Sequence, residues 1–242
     1  MDLAERYRAA VTRAYVEEAA TADLLPMVLA QACVAVLPVA GAGISITDEL
    51  RVPLGASDEM VARAERLQTT LGEGPCLTAT AQREPLSADL TRMSTQWPMF
   101  HRQLLAQTSF RSIVSFPLFS RSRRLRFGAL DLYLTISEPV PDFFVRQVTI
   151  SIADPMAAVL FDGHSTSSVG GAAQLPPWLD NSPVNSRMHV WVAVGMLVEH
   201  ASLSNPDALA ALRAYAFSHD VTLDDIADQL MTERLQPESL LA

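Results

Sequence analysis

Two strand-like runs that flank a short, arginine-rich turn constrain the fold more than any other part of the sequence. The runs Arg111–Ser120 and Arg126–Thr135 are rich in apolar residues, the pattern of a β-hairpin. Further strand-like runs at Ala42–Thr47 and Pro85–Leu90 precede them. Because a hairpin pairs its strands antiparallel, we expect an antiparallel sheet built around it.

Helical patterns surround these strands. Apolar residues recur at helical spacing in five stretches, at residues 2–18, 24–37, 59–70, 97–108 and 141–161. Pro75 starts a further short helix, and the polar run Asp48–Gly55 is predicted to be a loop. Helices that bracket an antiparallel sheet define the α+β class. The first and last helices carry apolar stripes without an obvious internal partner, so we expect them to form homodimer contacts.

Composition excludes several classes of protein. Of the 242 residues 49% are hydrophobic and 19% are charged, so the chain can bury a sizeable core. Two cysteines, Cys33 and Cys76, are too few for a disulfide-stapled fold or a four-cysteine metal site. Charged side chains occupy the N-terminal stretch, where a signal peptide needs an apolar segment. We therefore expect a cytoplasmic protein without a cofactor.

One uncharged stretch, Leu24–Thr47, is long enough to span a bilayer. Prolines and glycines interrupt it, and its second part alternates like a strand. We interpret it as a buried helix that runs into a buried strand, and no membrane partner is expected.

A change of composition divides the chain. Small, uncharged polar residues and two prolines follow His164, which is typical of a linker. The expected domains are therefore residues 1–162, with the sheet, and 186–242, with residues 163–185 as the linker. The C-terminal part has three helical segments, of which the second starts at Ser204 and the third at Thr222. Each of these two carries an aspartate three residues after its cap, at Asp207 and Asp225. We expect a small three-helix bundle.

Catalytic motifs are missing from the sequence. The five histidines lack zinc-ligand spacing, and the chain has neither a phosphate loop nor a nucleophile elbow. We therefore do not expect an enzyme. Cys76 has two interpretations: a thiol activated by the start of a helix, as a ligand or redox site, or a small buried apolar residue. The arginines at positions 121, 123, 124 and 126 form either a solvated turn or an anion contact.

The C-terminal segment resembles an ANTAR domain, a three-helix RNA-binding module of bacterial antiterminators. The resemblance covers nearly all of residues 186–235 and rests on three groups of residues. They are Arg187, Val190 and Ala193-Val194-Gly195-Met196-Leu197; Ser204, Asp207-Ala208-Leu209 and Leu212-Arg213-x-Tyr215-Ala216-Phe217; and Leu223-x-Asp225-Ile226-Ala227.

The first section resembles a GAF domain of the kind that actinobacteria join to ANTAR domains. Its best mark is Leu71-Gly-Glu-Gly-Pro-Cys76, supported by Trp97-Pro98 and the run Ser112–Phe119. The match is looser elsewhere in residues 20–160. Together the resemblances imply a sensor for an unidentified small molecule that controls an RNA-binding output. Such proteins bind tandem RNA stem-loops near terminators, commonly as dimers, and let polymerase read through.

The resemblance also implies the RNA-contacting residues, which are Arg187, Ala193, Gly195, Ser204, Arg213 and Tyr215. Arg213 could bind a phosphate or a guanine edge, or it could be a solvated cation. Tyr215 could stack on a base or pack in the core. Gly195 could admit RNA to the first helix, or it could serve close packing between helices.

Two features depart from the ANTAR pattern. Val194 stands where a basic residue is common, and Trp191 and Val192 stand where polar residues are usual. Residues 166–242 hold three arginines against nine acidic residues, a poor balance for phosphate binding. An output that contacts a protein partner instead of RNA is therefore the alternative, and a thiol-based sensor or reductase built on Cys76 is a third hypothesis.

Overall fold

A five-stranded antiparallel sheet organises the first two thirds of the chain. The computed structural model describes residues 1–47, 51–120, 125–138, 140–162, 176–179 and 182–241. The strands are β1 (Gly41–Ile46), β2 (Val52–Ala56), β3 (Leu86–Ala88), β4 (Ser112–Ser120) and β5 (Leu125–Leu134), in the order β2-β1-β5-β4-β3. Every neighbouring pair is antiparallel. The predicted hairpin is β4–β5, and the α+β class is confirmed.

One predicted loop is wrong in part. Residues 52–56, within and just after the expected loop Asp48–Gly55, form the edge strand β2, which pairs with β1. Pro53 and Gly55 hid this strand, because both residues weaken a strand pattern. At an edge, however, a proline can be tolerated, since one side of the strand has no hydrogen-bonding neighbour.

Helices cover both faces of the sheet. The structure has α1 (Leu3–Glu17), α2 (Leu25–Val36), α3 (Glu59–Leu71), α4 (Pro75–Gln82), α5 (Leu90–Gln96), α6 (Pro98–Gln107), α7 (Asp142–Val148) and α8 (Asp154–Ala157). Two π-helical segments, Thr149–Ala153 and Ala158–Asp162, continue α7 and α8 into one long helical run. This run, α1 and α2 pack on one face of the sheet, and α3–α6 cover the other. The expectation missed α5.

The two helices expected to be without internal partners do have them. Leu3 and Tyr7 of α1 are buried in the same core as Val148 and Ile152 of the α7–α8 run. The prediction that their apolar stripes are free is therefore wrong. Their outer sides still expose apolar residues, with Phe143 65% and Ile150 71% exposed.

The uncharged stretch Leu24–Thr47 forms α2 and β1, as predicted, and both are buried. By length and composition, another helical stretch, Asp142–Leu160, could cross a membrane. A core helix of a soluble protein passes the same test, and this one contributes Val148, Ile152 and Met156 to the core.

Three C-terminal helices pack around a second core. They are α9 (Ser182–Ala201), α10 (Asn205–His219) and α11 (Leu223–Met231), and α9 starts four residues before the expected Ser186. The Ser204 hydroxyl accepts a hydrogen bond from the Asp207 backbone N–H over 3.3 Å, which caps α10. Thr222 and Asp225 cap α11 reciprocally. The shared core contains Val190, Leu197, Leu212, Ile226 and Leu230.

Trp178 anchors part of the expected linker. Its side chain is 0% exposed and belongs to the core that α1, α2 and the sheet form. It lies in a short 3-10 turn, Pro177–Leu179. Residues 163–175 and 180–181 of the linker lie outside the described residues. The expected linker thus contributes a large apolar side chain to the N-terminal core, which the polar composition around it did not indicate.

Replacing Trp178 with alanine should destabilise the N-terminal core by about 3–5 kcal/mol, the usual cost of truncating a buried tryptophan. Ile136→Ala is the control, because Ile136 is 53% exposed and truncating its side chain should change the free energy of unfolding by under about 0.5 kcal/mol. Urea unfolding of both variants measures the difference. Equal, small effects would mean that Trp178 is not held in the core.

Candidate functional site

Six buried polar side chains meet on the sheet face that α3 and α4 cover. They are Arg51, Glu65, Gln68, Cys76, Asp131 and Tyr133, here called the Arg51 cluster. Each is at most 2% exposed. Burying charged groups costs several kcal/mol per ion unless they are paired and hydrogen bonded, so a cluster of this size is the most unusual feature of the described structure.

Regular periodicities bring the cluster together. Asp131 and Tyr133 are two residues apart on β5 and therefore point to the same face. Glu65 and Gln68 are three residues apart on α3, which places them on one side of that helix. Gly43 on β1 makes room for the glutamate, since a Cβ at this position would lie 2.5 Å from the Glu65 carboxyl carbon.

The Arg51 side chain forms hydrogen bonds with three elements, α3, α4 and β5. Its Nη2 donates to a Glu65 carboxylate oxygen and to Asp131 Oδ2, the latter over 3.2 Å. Its Nη1 donates to the Glu65 backbone carbonyl over 2.8 Å. Its Nε donates to Cys76 Sγ over 2.9 Å. One side chain therefore ties the start of β2 to α3, α4 and β5.

Neutral side chains complete the network. The Tyr133 hydroxyl donates to Glu65 Oε1 over 2.6 Å. Gln68 Nε2 donates to Asp131 Oδ2 over 2.8 Å, and Gln68 Oε1 accepts a hydrogen bond from the Cys76 backbone N–H over 3.2 Å. Gln68 thus connects the carboxylates to the first turn of α4.

The cluster carries more acid than base. One guanidinium faces two carboxylates, so full ionisation leaves one uncompensated negative charge in the interior. Burial, and then the neighbouring Glu65 carboxylate, raise the pKa of Asp131 to about 7, against the opposing effect of Arg51. The cluster can therefore gain or lose a proton near neutral pH.

Of the two interpretations of Cys76, a thiol whose pKa the helix start lowers does not fit its surroundings. Complete burial raises the pKa of this thiol well above its ordinary value; Arg51 opposes the shift, while the Asp131 and Glu65 carboxylates add to it. Burial likewise raises the pKa of Cys33, to about 12. Both cysteines are free thiols. The interpretation of Cys76 as a small buried residue fits this environment better than an activated thiol, although its Sγ does accept the Arg51 hydrogen bond.

The residues expected to contact RNA are dispersed. Ala193 is fully buried in the C-terminal core, as is Val194 at 2% exposure. Gly195 is exposed, and no described atom beyond its chain neighbours and its own helix backbone lies within 4 Å of the place where its Cβ would be. Close helix packing therefore does not account for this glycine. The Ser204 side chain caps α10, and Arg187 lies in α9 with its side chain outside the described part of the structure.

Arg213 and Tyr215 both have neighbours within the protein. The Arg213 guanidinium packs against Gly72 at the end of α3. The Tyr215 ring stacks on His219, with 3.9 Å between ring centroids. Of the arginine turn, which could be either a solvated turn or an anion contact, residues 121–124 and the Arg126 side chain lie outside the described part. Within the described part, no group of three His, Cys, Asp or Glu residues is placed to hold a metal ion.

Solved structures similar to part of this chain include two GAF domains and an enzyme. The GAF domain of a phosphoenolpyruvate-protein phosphotransferase from Coxiella burnetii is 15% identical, with a TM-score of 0.42 over 66% of this chain and 98% of that one. The free methionine-R-sulfoxide reductase of Neisseria meningitidis, solved with its substrate, is 16% identical, with a TM-score of 0.41 over 63% and 87%.

The GAF domain of a two-component sensor histidine kinase from Bacillus halodurans is 16% identical, with a TM-score of 0.34 over 50% of this chain and 85% of that one. No family model and no curated protein matches the sequence. The likeness to the solved structures assigns no ligand or activity to this chain.

Sequence reasoning identified only Cys76 among the members of the Arg51 cluster. A signal for Asp131 was present, since it interrupts the apolar run Leu130-Asp131-Leu132 in the middle of a predicted strand. Arg51 was hidden because it lies within the stretch Asp48–Gly55, which was interpreted as a loop.

Asp131 should make the free energy of unfolding depend on pH. Its carboxyl binds a proton more tightly in the folded protein than in the unfolded chain, so stability falls as pH rises from the ordinary value of 3.8 to about 7 and is level above it. The loss is on the order of 4 kcal/mol, at about 1.4 kcal/mol for each pKa unit. Asp131→Asn should flatten this dependence, as measured by urea unfolding at several pH values.

The control for this prediction is Glu138→Gln, which neutralises an exposed carboxylate and should leave the pH dependence of the wild type unchanged. A wild-type slope that survives in Asp131→Asn would show that another group carries the titration.

Proposed function

We propose that the chain is a signal-responsive regulator, with a GAF-like sensor in residues 1–162 and an ANTAR-like RNA-binding output in residues 186–242. A small molecule at the sensor controls whether the output binds tandem RNA stem-loops and promotes transcription antitermination. The observation that carries the sensor half is the Arg51 cluster. The output half is supported by the order and spacing of α9 and of the capped helices α10 and α11.

The cluster has the properties of a sensing site rather than of a structural core. A hydrophobic core of the same volume would be at least as stable as buried ion pairs, so stability alone does not explain six buried polar groups. Perturbed titration in a buried cluster is common at functional sites. Its hydrogen bonds also join α3, α4 and β5, so a change at the cluster reaches several elements at once.

The charge of the cluster favours one class of ligand. The Arg51 side chain occupies the space between Glu65 and Asp131. A ligand that binds both carboxylates must therefore displace it. A molecule with an ammonium or guanidinium group reproduces the contacts of Arg51 with both carboxylates. We therefore propose a small cationic ligand that competes with the Arg51 side chain.

The output half also supports a second candidate function. Met188 and Val192 are 59% and 47% exposed on α9, and with Gly195 they follow one face of that helix at helical spacing. An exposed apolar stripe fits a protein partner better than phosphates. The alternative is therefore a sensor whose C-terminal helices contact a protein instead of RNA.

Homodimerisation is part of the proposal. Phe143 and Ile150 lie seven residues apart on the outer side of the long helical run and are both exposed. A second copy would cover them, and two outputs would then be able to bind two stem-loops together.

The RNA-binding half of the proposal is tested with a two-hairpin RNA in a mobility-shift titration at low salt. Wild-type protein should bind it more tightly than a single hairpin, and Arg187→Ala should weaken binding about tenfold, as expected when a phosphate or base contact is lost. Arg234→Ala, which removes the same charge from an exposed position, is the control and should change affinity little.

No shift of the two-hairpin RNA at any salt concentration would reject antitermination. Retention of a protein partner that is lost in Val192→Asp but not in Arg187→Ala would then support the alternative.

The sensor half is tested by thermal unfolding with small cations, using agmatine, choline and arginine as probes and citrate and phosphate as anionic controls. At least one cation should raise the melting temperature, because a ligand that binds only the folded state stabilises it. Glu65→Gln should abolish that shift. Equal responses to cations and anions would contradict the proposed site.

A further inference from the structure

Arg213 of the C-terminal helices lies in a notch at the end of α3. Gly72 ends this helix in the left-handed conformation, with φ of +67°. A Cβ at Gly72 would lie 2.6 Å from Arg213 Cζ, so the guanidinium occupies the space that any other residue type would fill. The helices α9–α11 therefore contact the sensor at a position where the absent side chain of Gly72 leaves room for Arg213.

This contact partly buries a cation, and no described carboxylate compensates its charge. Burial lowers the pKa of Arg213, and its Nε has no hydrogen-bond partner among the described residues. Nor does any described carboxylate form an ion pair with it. Since a desolvated charge without a partner is unfavourable, Arg213 weakens the docked state although it fits the notch.

The surrounding interface is polar and incompletely packed. A cavity of about 80 Å³ separates α3 and α6 from the turn between α10 and α11. Arg63 and Arg66 line it on the sensor side and Asp220 on the other side, an arrangement of opposite charges. Next to it, Arg102 lies over the Phe217 ring at 5.7 Å from the centroid. Interfaces of this polar kind separate readily.

The segment at the end of α3 that contacts Arg213 also contacts the Arg51 cluster. A Cβ at Gly74, two residues after the notch, would collide with the Gln68 side chain. Gln68 in turn binds Asp131 and the Cys76 backbone. The last turn of α3 thus contacts Arg213 on one side and the cluster on the other.

We propose that the docking of Arg213 at Gly72 is a weak autoinhibitory contact, and that rearrangement of the Arg51 cluster shifts the end of α3 and releases the C-terminal helices. The coupling rests on the proposed sensor function, whereas the docking does not. Both states pre-exist, and a ligand selects the released one by its preference for the rearranged cluster.

Docking is measured by hydrogen exchange at the last turn of α3 and at α10, in the full chain without RNA or ligand. Arg213→Met keeps a shorter, unbranched apolar side chain beside the notch and removes the partly buried charge, so it should strengthen docking and slow exchange at this interface at least about fivefold. Asp220→Asn should speed exchange about two- to fivefold, because it removes the charge opposite Arg63 and Arg66.

Glu233→Gln is the control for the second variant. Glu233 has the same left-handed backbone as Asp220, with φ of +58° against +54°, but does not line the cavity. Hydrogen exchange at α3 and α10 in Glu233→Gln should therefore match the wild type. Faster exchange in Arg213→Met, or no change in Asp220→Asn, would overturn the autoinhibitory contact.

Coupling is measured with two variants of β5. Asp131→Asn alters the cluster and should change exchange at α10, whereas Leu130→Ala, which faces the opposite core, should destabilise the sensor without a specific effect there. If Asp131→Asn leaves α10 unchanged, the coupling is refuted. These readouts use no RNA, so a failure to bind RNA leaves them unaffected and counts only against the proposed function.

Discussion

The guanidinium of Arg51, held between two buried carboxylates, is the interaction on which the packing of the sheet and its helices depends. It joins the edge strand β2 to α3, α4 and the central strand β5. Removing it would leave Glu65 and Asp131 facing each other in a dry interior, at a cost of several kcal/mol. The neighbouring residues also accommodate the Glu65 carboxylate. Gly43 leaves space for it, and the Tyr133 hydroxyl donates a hydrogen bond to it.

An internal charge cluster of this kind favours change over rigidity. Its negative excess and the titration of Asp131 near neutral pH mean that a proton or a cation alters the balance of the network. Gln68 and the segment 71–76 connect the cluster to Arg213. A change in the cluster can therefore reach Arg213 by a short path. In the proposed mechanism, the contacts of Gln68 and Arg213 at the end of α3 link the cluster to the C-terminal helices.

Periodicity in the sequence predicted the hairpin β4–β5, the buried α2–β1 stretch and the caps at Ser204 and Thr222, because these depend on local spacing. It failed where neighbours distant in sequence decide the outcome. The strand β2 forms at the sheet edge despite Pro53. Trp178 packs in the N-terminal core although the sequence around it is polar. The cluster itself draws on four separate elements, and burial reverses the pKa shift that the helix start suggested for Cys76.

The account is tested most directly by ¹⁵N NMR of the arginine Nε–H groups in the full chain, with Arg51→Lys used to assign the Arg51 signal among the 18 arginines. The Arg51 Nε–H, which donates to Cys76 Sγ inside the sensor, should exchange with water far more slowly than the exposed arginines. It should lose that protection when a cation that stabilises the protein is added. An Arg51 signal that exchanges as fast as that of Arg234 would contradict the buried cluster on which the account rests.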